Sequence, residues 1–392
     1  MTEAHIRILT RLADIPASQW DACAAGGASA PEPFVSHAFL RALEEAGCVS
    51  ARTGWMPQHL VLDGADGLPT GVVPAYLKGH SRGEYVFDHG WADAYERAGG
   101  SYYPKLQVSV PFTPVTGRRL LVRPGLEAES HQELLSAGLV QLARQRDASS
   151  VHVTFATEDE WCRLRELGFL QRMDQQFHWT NAGYATFDEF LEALSSRKRK
   201  VIRRERREAL SPGIEIEHLT GADITEKAWD AFFAFYMDTG SRKWGQPYLN
   251  RKFFTLLGER MADKVLLIMA KRQGRYIAGA LNLIGADTLY GRYWGAVEHH
   301  PFLHFEVCYH QAIDYAIAHK LAVVEAGAQG EHKLARGYLP KFTYSAHWIA
   351  DASLRRAVAH YLERERDHVR EAGEELADLG PFRRGDAPEE QD

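Results

Sequence analysis

Apolar and polar positions along this chain follow one order of periods twice. In the first half, Ile6–Leu9 alternates as a strand, followed by a short helix from near Ser18 and a second helix capped by Ser36 that runs through Phe39, Leu40 and Leu43 to Gly47. Leu60–Asp63 and Gly71–Leu77 read as strands separated by the turn signal Gly64–Gly67. Residues 79–119 are irregular, rich in Gly, Pro, Tyr and His, and too long for a mere connector. A helix over 131–146, a strand Val151–Phe155, a helix Glu158–Leu167 and a polar-interrupted strand Phe169–Trp179 complete the half.

The second half restates the plan. Helices over 186–210, 225–239 and 250–261 lead into the strand Val265–Ala270, a turn at Gly274, and strands Ile277–Ile284 and Thr288–Trp294. A helix from Leu303 to Lys320, a buried-type strand Ala322–Ala326, a strand Thr343–Ile349 and a helix Ser353–Ala372 follow. "Strand, glycine turn, strand, then helix, then strand" therefore occurs twice. It is the plan of a GNAT-type acyltransferase domain, and it predicts an α/β (α+β) chain of two tandem GNAT-like domains. Each would be a mixed, mostly antiparallel sheet flanked by helices. The expected divisions are 1–178, 179–375 and a disordered tail over 376–392, the tail being rich in Pro, Gly and acidic residues from Gly380 on.

Composition narrows the class. At 392 residues, 45% apolar and 25% charged, the chain has the size of two domains and the make-up of a soluble globular protein. No apolar run approaches a membrane span, and the first residues lack a signal-peptide pattern, so a cytoplasmic location is expected. Cys23, Cys48, Cys162 and Cys308 form no CxxC pair and read as reduced packing cysteines.

The net charge is −6, yet Arg197–Glu208 is densely basic. On a helix, Arg197, Lys200, Arg204 and Arg207 share one face, flanked by Arg199, Arg203 and Arg206. Like charges at these spacings repel; a polyanion such as a pyrophosphate, a CoA tail or an RNA backbone would offset that cost. The plain alternative is a solvated face.

Lys198, Lys200, Arg203, Arg204 and the following Gly213 sit near the places of the basic-x-basic-x-x-Ile-basic-basic pattern that precedes a glycine and a strand in Fem-type peptidyltransferases. More closely, the chain resembles the FemAB-like family of bacterial proteins. The runs that carry this are Pro33–Leu40, Pro111–Gly117, Phe177–Asn181, Gly291–Gly295, and Glu325–Lys333 with Arg336–Tyr338. The resemblance implies an N-acyltransferase or aminoacyltransferase that forms an amide from acyl-CoA or aminoacyl-tRNA. Its acceptor would be a small-molecule or peptide amine, with peptidoglycan precursors among the candidates, and no tightly bound cofactor is expected. The (Arg/Gln)-x-x-Gly-x-(Gly/Ala) cradle of acetyl-CoA enzymes has no good match in either half, which leaves an aminoacyl-tRNA or another donor open.

The richest polar segment is Glu325–His347. Gly327 and Gly330 allow a close-turning loop carrying Gln329, Glu331, His332, Lys333, Arg336 and Tyr338. Amide formation needs an amine deprotonated, an oxyanion stabilised and a leaving group protonated. Glu331 or His332 is the candidate base, Lys333 or Arg336 an anion holder, Tyr338 the proton donor, and Gln329 a substrate contact; a structural ion-pair network is the alternative. Strand alternation puts Arg292 and Trp294 on one face and Tyr293 on the other, as the floor of an acceptor pocket or as core aromatics. His300 and His304 are a helical turn apart near His299 and Glu306, but Pro301 interrupts them, so no metal site is assigned. Two other readings remain: a catalytically silent protein that recognises a cell-wall precursor, and an RNA-binding module.

Overall fold

The computed structural model describes residues 5–211, 213–244, 247–327 and 330–383, with the side chains of 241–244 and Glu331 left out. The chain separates into two compact units: Met1–Asp174 with Phe342–Arg370, and Gln175–Lys341 with Glu371–Asp392. The closing strand and most of the last helix, which the linear reading keeps with the second domain, thus group with the first unit. The reason is burial. Ala346 packs in the first unit's core beside Val151 and Val153, the strand pairs antiparallel with Ser150–Ala156, and Leu354, Val358 and Leu362 pack with Trp91 and Tyr102.

In the first unit, strands Trp55–Pro57, Ala75–Lys78, Lys105–Val108, Ser150–Ala156 and Leu339–Ile349 lie side by side in that order. Lys105–Val108 and Ser150–Ala156 run parallel and the other pairs antiparallel. A smaller antiparallel sheet holds His5–Leu9, His59–Asp63, Pro69–Val73 and Leu121–Val122. The single strand expected over Gly71–Leu77 is split at Pro74, which has no N–H for a ladder; the chain changes sheets there. The region expected to be irregular, 79–119, contains a helix His89–Arg97 and the strand Lys105–Val108. Ser36 caps its helix as expected, accepting from the Phe39 N–H at 3.3 Å.

The second unit is a sheet of Ile214–Thr220, Val265–Arg272, Arg275–Ile284, Thr288–Ala296, Val323–Glu325 and the end of Leu170–Thr180. Only the Thr288–Ala296 and Val323–Glu325 pair is parallel. The helical stretch expected over 186–210 breaks at Leu194–Ser195 into Phe187–Ala193 and the basic helix Ser196–Leu210. The expected tail is ordered at its start: Phe382 bridges Leu194, and the Ser195 N–H donates to the Pro381 carbonyl at 2.9 Å. Residues 384–392 lie outside the described residues. No described helix is long and apolar enough to cross a membrane.

Candidate active site

Strand Thr288–Ala296 pairs with Val323–Glu325 only as far as Tyr290 and Glu325. Beside the end of this pairing lies a cavity of about 90 Å³ lined by Ala280, Asn282, Gly291, Arg292, Tyr293, Trp294, His304, Cys308, Tyr309 and Ala326. A neighbouring recess of about 240 Å³ shares Trp294 and His304 and adds Glu298, His299 and His300. Two glycines allow this packing. A Cβ on Gly295 would fall 2.1 Å from the Phe235 carbonyl oxygen, and one on Gly291 would meet Asn282 Oδ1 at 3.2 Å.

Arg292, Tyr293 and Trp294 all line the cavity, the Tyr293 ring against Tyr236 and the Trp294 ring against His304. Leu281 pairs with Tyr293 and Asn282 with Gly291, which leaves Arg292 as the extra residue of a bulge. A bulge interrupts period-two alternation. Arg292 also does not present a free charge to a ligand. Its Nη2 donates to Glu325 Oε2 at 2.6 Å, and both side chains are buried. His178 Nε2 lies 3.9 Å from the other Glu325 oxygen, and burial lowers its pKa.

The opposite wall is irregular helix. Between Leu303–Phe305 and Gln311–Ala318 the chain makes a π-turn, Glu306–His310, which presents Cys308 and Tyr309 to the cavity. Such single-turn insertions recur at functional sites. Glu306, grouped with the histidines in the sequence, is instead fully buried against Arg206. His304 meets the Trp294 ring at a tilt and the Tyr309 ring edge-on, and His300 contacts Glu298 Oε2 at 2.9 Å. Among the described residues no group of three or more His, Cys, Asp and Glu side chains could hold a metal ion.

The loop after the short strand folds into the tight turn Glu331–Arg336. Gln329 and the Glu331 side chain lie outside what the structure describes. His332 is exposed, its Nε2 2.9 Å from Tyr309 Oη. Lys333 is 1% exposed and donates to the Gly327 carbonyl at 2.7 Å. Burial, then the nearby Arg292 charge, lowers its pKa to about 7. Arg336 and Tyr338 take other roles than expected. The Arg336 guanidinium is held by Glu205 Oε1 at 2.8 Å, the His332 carbonyl at 2.6 Å and the Phe305 ring at 3.4 Å. Tyr338 is fully buried, and its hydroxyl donates to the Tyr309 carbonyl at 3.3 Å. Burial raises its pKa far above that of a free phenol, which makes it a core residue and not a proton donor to substrate.

The basic helix has two faces. Arg197, Lys200, Arg203, Arg204 and Arg207 are exposed and Lys198 is half-buried. Among the described residues they are engaged by modest surface pairs, Arg203 with Asp188 at 2.8 Å and Arg204 with Glu208 at 3.7 Å. The inner face buries Ile202, Glu205 and Ala209. Arg206 turns inward too, reaching Glu306 at 3.1 Å, Asp314 at 2.6 Å and the Phe187 ring at 4.2 Å.

The first unit holds a buried charged network, most of it within the stretch 79–119 that the sequence marks only as irregular. Lys105 Nζ donates to Ser81 Oγ at 2.8 Å, to Glu84 Oε2 at 2.7 Å and to Asp88. Lys78 lies over the Trp55 ring at 3.4 Å, and Tyr102 Oη donates to Asp88 Oδ2 at 2.8 Å. His152 Nδ1 and His347 Nδ1 are 2.7 Å apart. The available signal was polar alternation in Lys105-Leu-Gln-Val-Ser109 and Ser150-Val-His-Val-Thr154, one polar face on each of two adjacent strands.

Comparison with known proteins bears on the fold and the family. The profile of the FemAB-like family, described as peptidoglycan biosynthesis/recognition, matches residues 11–384. The crystal structure of FemX is similar at 13% identity, covering 88% of this chain and 98% of that one, with a TM-score of 0.54. L-PGS from Bacillus licheniformis is similar at 10% identity, 83% and 96% coverage and a TM-score of 0.52. A conserved protein of unknown function from Bacteroides thetaiotaomicron VPI-5482 is similar at 11% identity, 88% and 100% coverage and a TM-score of 0.54. No curated protein matches the chain. With the strand order of each unit, these likenesses establish the fold as two GNAT-like domains in tandem.

Proposed function

Because the chain belongs to the FemAB-like family, matched from residue 11 to 384, we propose that it transfers an activated acyl or aminoacyl group to an amine of a peptidoglycan precursor. The observation that carries this reading is the cavity at the end of the parallel strand pair of the second unit. A half-buried thiol and an aromatic wall line it, and the buried Lys333, its pKa lowered to about 7, lies within electrostatic reach of the lining residues Arg292 and Cys308. A cavity with an aromatic wall and an amine brought near neutrality beside it suits acyl transfer.

In this reading the acceptor amine attacks the donor's ester or thioester carbonyl within the cavity. The Lys333 ammonium faces the negative charge that gathers on the carbonyl oxygen. His332, exposed beside Tyr309, takes the proton from the attacking amine and returns it to the leaving oxygen or sulfur. The outer face of the basic helix holds the phosphates of donor or precursor.

The donor we favour is an aminoacyl-tRNA. In the second unit the loop that precedes the helix start is Val297–Phe302. It contains no glycine and carries Glu298, held by His300 at 2.9 Å and Arg272 at 3.3 Å. A carboxylate at that place repels a pyrophosphate, and without glycine the backbone cannot close around one.

The test is transfer from radiolabelled alanyl-tRNA, with acetyl-CoA in parallel, to a UDP-linked muramyl pentapeptide. A mass gain of one residue on the precursor, lost in Lys333→Met and His332→Ala, is the expected result. Precursor binding of equal affinity in all three proteins, with no transfer from either donor, would replace the enzyme by a recognition protein.

A further inference from the structure

The basic helix turns two charged residues inward, Glu205 and Arg206, and their partners lie on the 306–310 π-turn that lines the cavity and on the 331–336 turn. We infer that Glu205, with Arg206 beside it, is a positioning residue of the transfer reaction, holding the 331–336 turn and the 306–310 π-turn in register with each other. The inference rests on the transfer reading above.

Two contact chains support it. Glu205 Oε1 accepts from Arg336 Nη2 at 2.8 Å, and Arg336 Nη1 donates to the His332 carbonyl at 2.6 Å. This chain fixes the backbone immediately before Lys333. Arg206 reaches Glu306 at 3.1 Å, the first residue of the π-turn, and Gln311 Nε2 closes on the same carboxylate at 2.6 Å. This second chain fixes the segment that presents Cys308 and Tyr309. His310, buried on that turn, lies 3.7 Å from Glu205 Oε2, so Glu205 faces both segments.

Energetics favour a positional role over a stabilising one. A buried ion pair is often no more stable than apolar residues of the same shape, whereas removing one partner leaves an unpaired charge. A leucine at position 205 would fill the face between Ile202 and Ala209 at less desolvation cost. Carboxylate and guanidinium instead fix direction: a π-turn holds one extra residue, and without a fixed register its side chains would rotate away from the cavity.

The experiment compares wild type, Glu205→Gln, Glu205→Asp and Arg206→Lys. With alanyl-tRNA and the UDP-linked muramyl pentapeptide, Glu205→Gln should lower kcat by roughly 10- to 100-fold and leave KM within about 3-fold, the signature of misplaced groups. In parallel, iodoacetamide labelling is followed cysteine by cysteine by mass spectrometry. In Glu205→Gln the rate of Cys308 labelling at a fixed pH should change by at least about 3-fold, as the π-turn that presents Cys308 to the cavity loses its register. Glu205→Asp and Arg206→Lys should fall between wild type and Glu205→Gln in both readouts. An unchanged labelling profile and kcat in Glu205→Gln, alongside a lower melting temperature, would reduce Glu205 to a structural residue and overturn the inference. If wild type transfers nothing, the transfer reading fails, and an unchanged Cys308 profile then overturns the positioning role on its own.

Discussion

Lys333 is under two opposed demands. Its amine is almost fully buried with one carbonyl partner, and burial followed by the Arg292 charge brings its pKa from 10.5 to about 7. The folded value is below the unfolded one, so between these pH values the unfolded chain binds the extra proton. The penalty is full below pH 7 and fades as pH rises toward 10.5. Lys333→Met should therefore raise unfolding free energy in urea at pH 7 by at least about 1 kcal/mol while abolishing transfer, a trade common at functional sites. Tyr338→Phe separates the sequence role from the structural one: losing the bond to the Tyr309 carbonyl should cost about 1 kcal/mol and leave the transfer rate within about 3-fold, where loss of a general acid would cost roughly 100-fold or more. His332, Lys333 and the Gly291–Gly295 strand were legible as site residues because polar groups on a glycine-punctuated loop and an aromatic strand stand out locally. That Arg292 and Arg336 are consumed by Glu325 and Glu205 was not legible, since nothing local in the sequence names those partners.

The basic helix shows how much one element can hide. Its spacing predicted the exposed stripe of Arg197, Lys200, Arg204 and Arg207, and the stripe is there. The same pattern gave no hint that Arg206 serves the interior. Substitutions should separate the two faces. Lys200→Ala and Arg204→Ala should each lower tRNA affinity and reduce the salt slope by about one, with stability changed by no more than about 0.5 kcal/mol. Arg206→Ala should cost about 3 kcal/mol in urea unfolding, because it strands the fully buried Glu306. If all three variants unfold alike and bind tRNA alike, the two-faced description is wrong. The bulge at Arg292 and the π-turn at 306–310 were invisible for a related reason: each adds one residue without changing the composition or the mean period around it.

Across the molecule, the first unit's buried network sets an acid limit. Burial and then Lys105 hold His152 down to about 3, against 6.5 when unfolded; burial and then His152 lower His347 as well. Burial opposes the Asp88 charge, but Lys105 outweighs it and holds that carboxylate well below its ordinary range. A histidine lowered on folding takes its proton in the unfolded chain first, and an aspartate lowered on folding does the same at lower pH. Both signs agree: stability falls as pH drops from 6.5, by roughly 3 kcal/mol at pH 4 from His152 alone. Calorimetry or urea titration from pH 7 to 4 should show this slope, and His152→Gln should flatten it. Periodicity was sufficient to place most of the strands and helices and the doubled GNAT plan, because burying apolar faces is a local, repeating requirement. Yet it missed the helix His89–Arg97 and the strand Lys105–Val108 within 79–119. It failed where a proline moved the chain between sheets and where the last strand returned to the first unit. The site's electrostatics were beyond it altogether. Arg206 meets Glu306 across 100 residues, Glu205 meets Arg336 across 131, and His152 meets His347 across 195. A buried charge takes its pKa and its role from the partner that folding brings to it, and that pairing exists only in three dimensions.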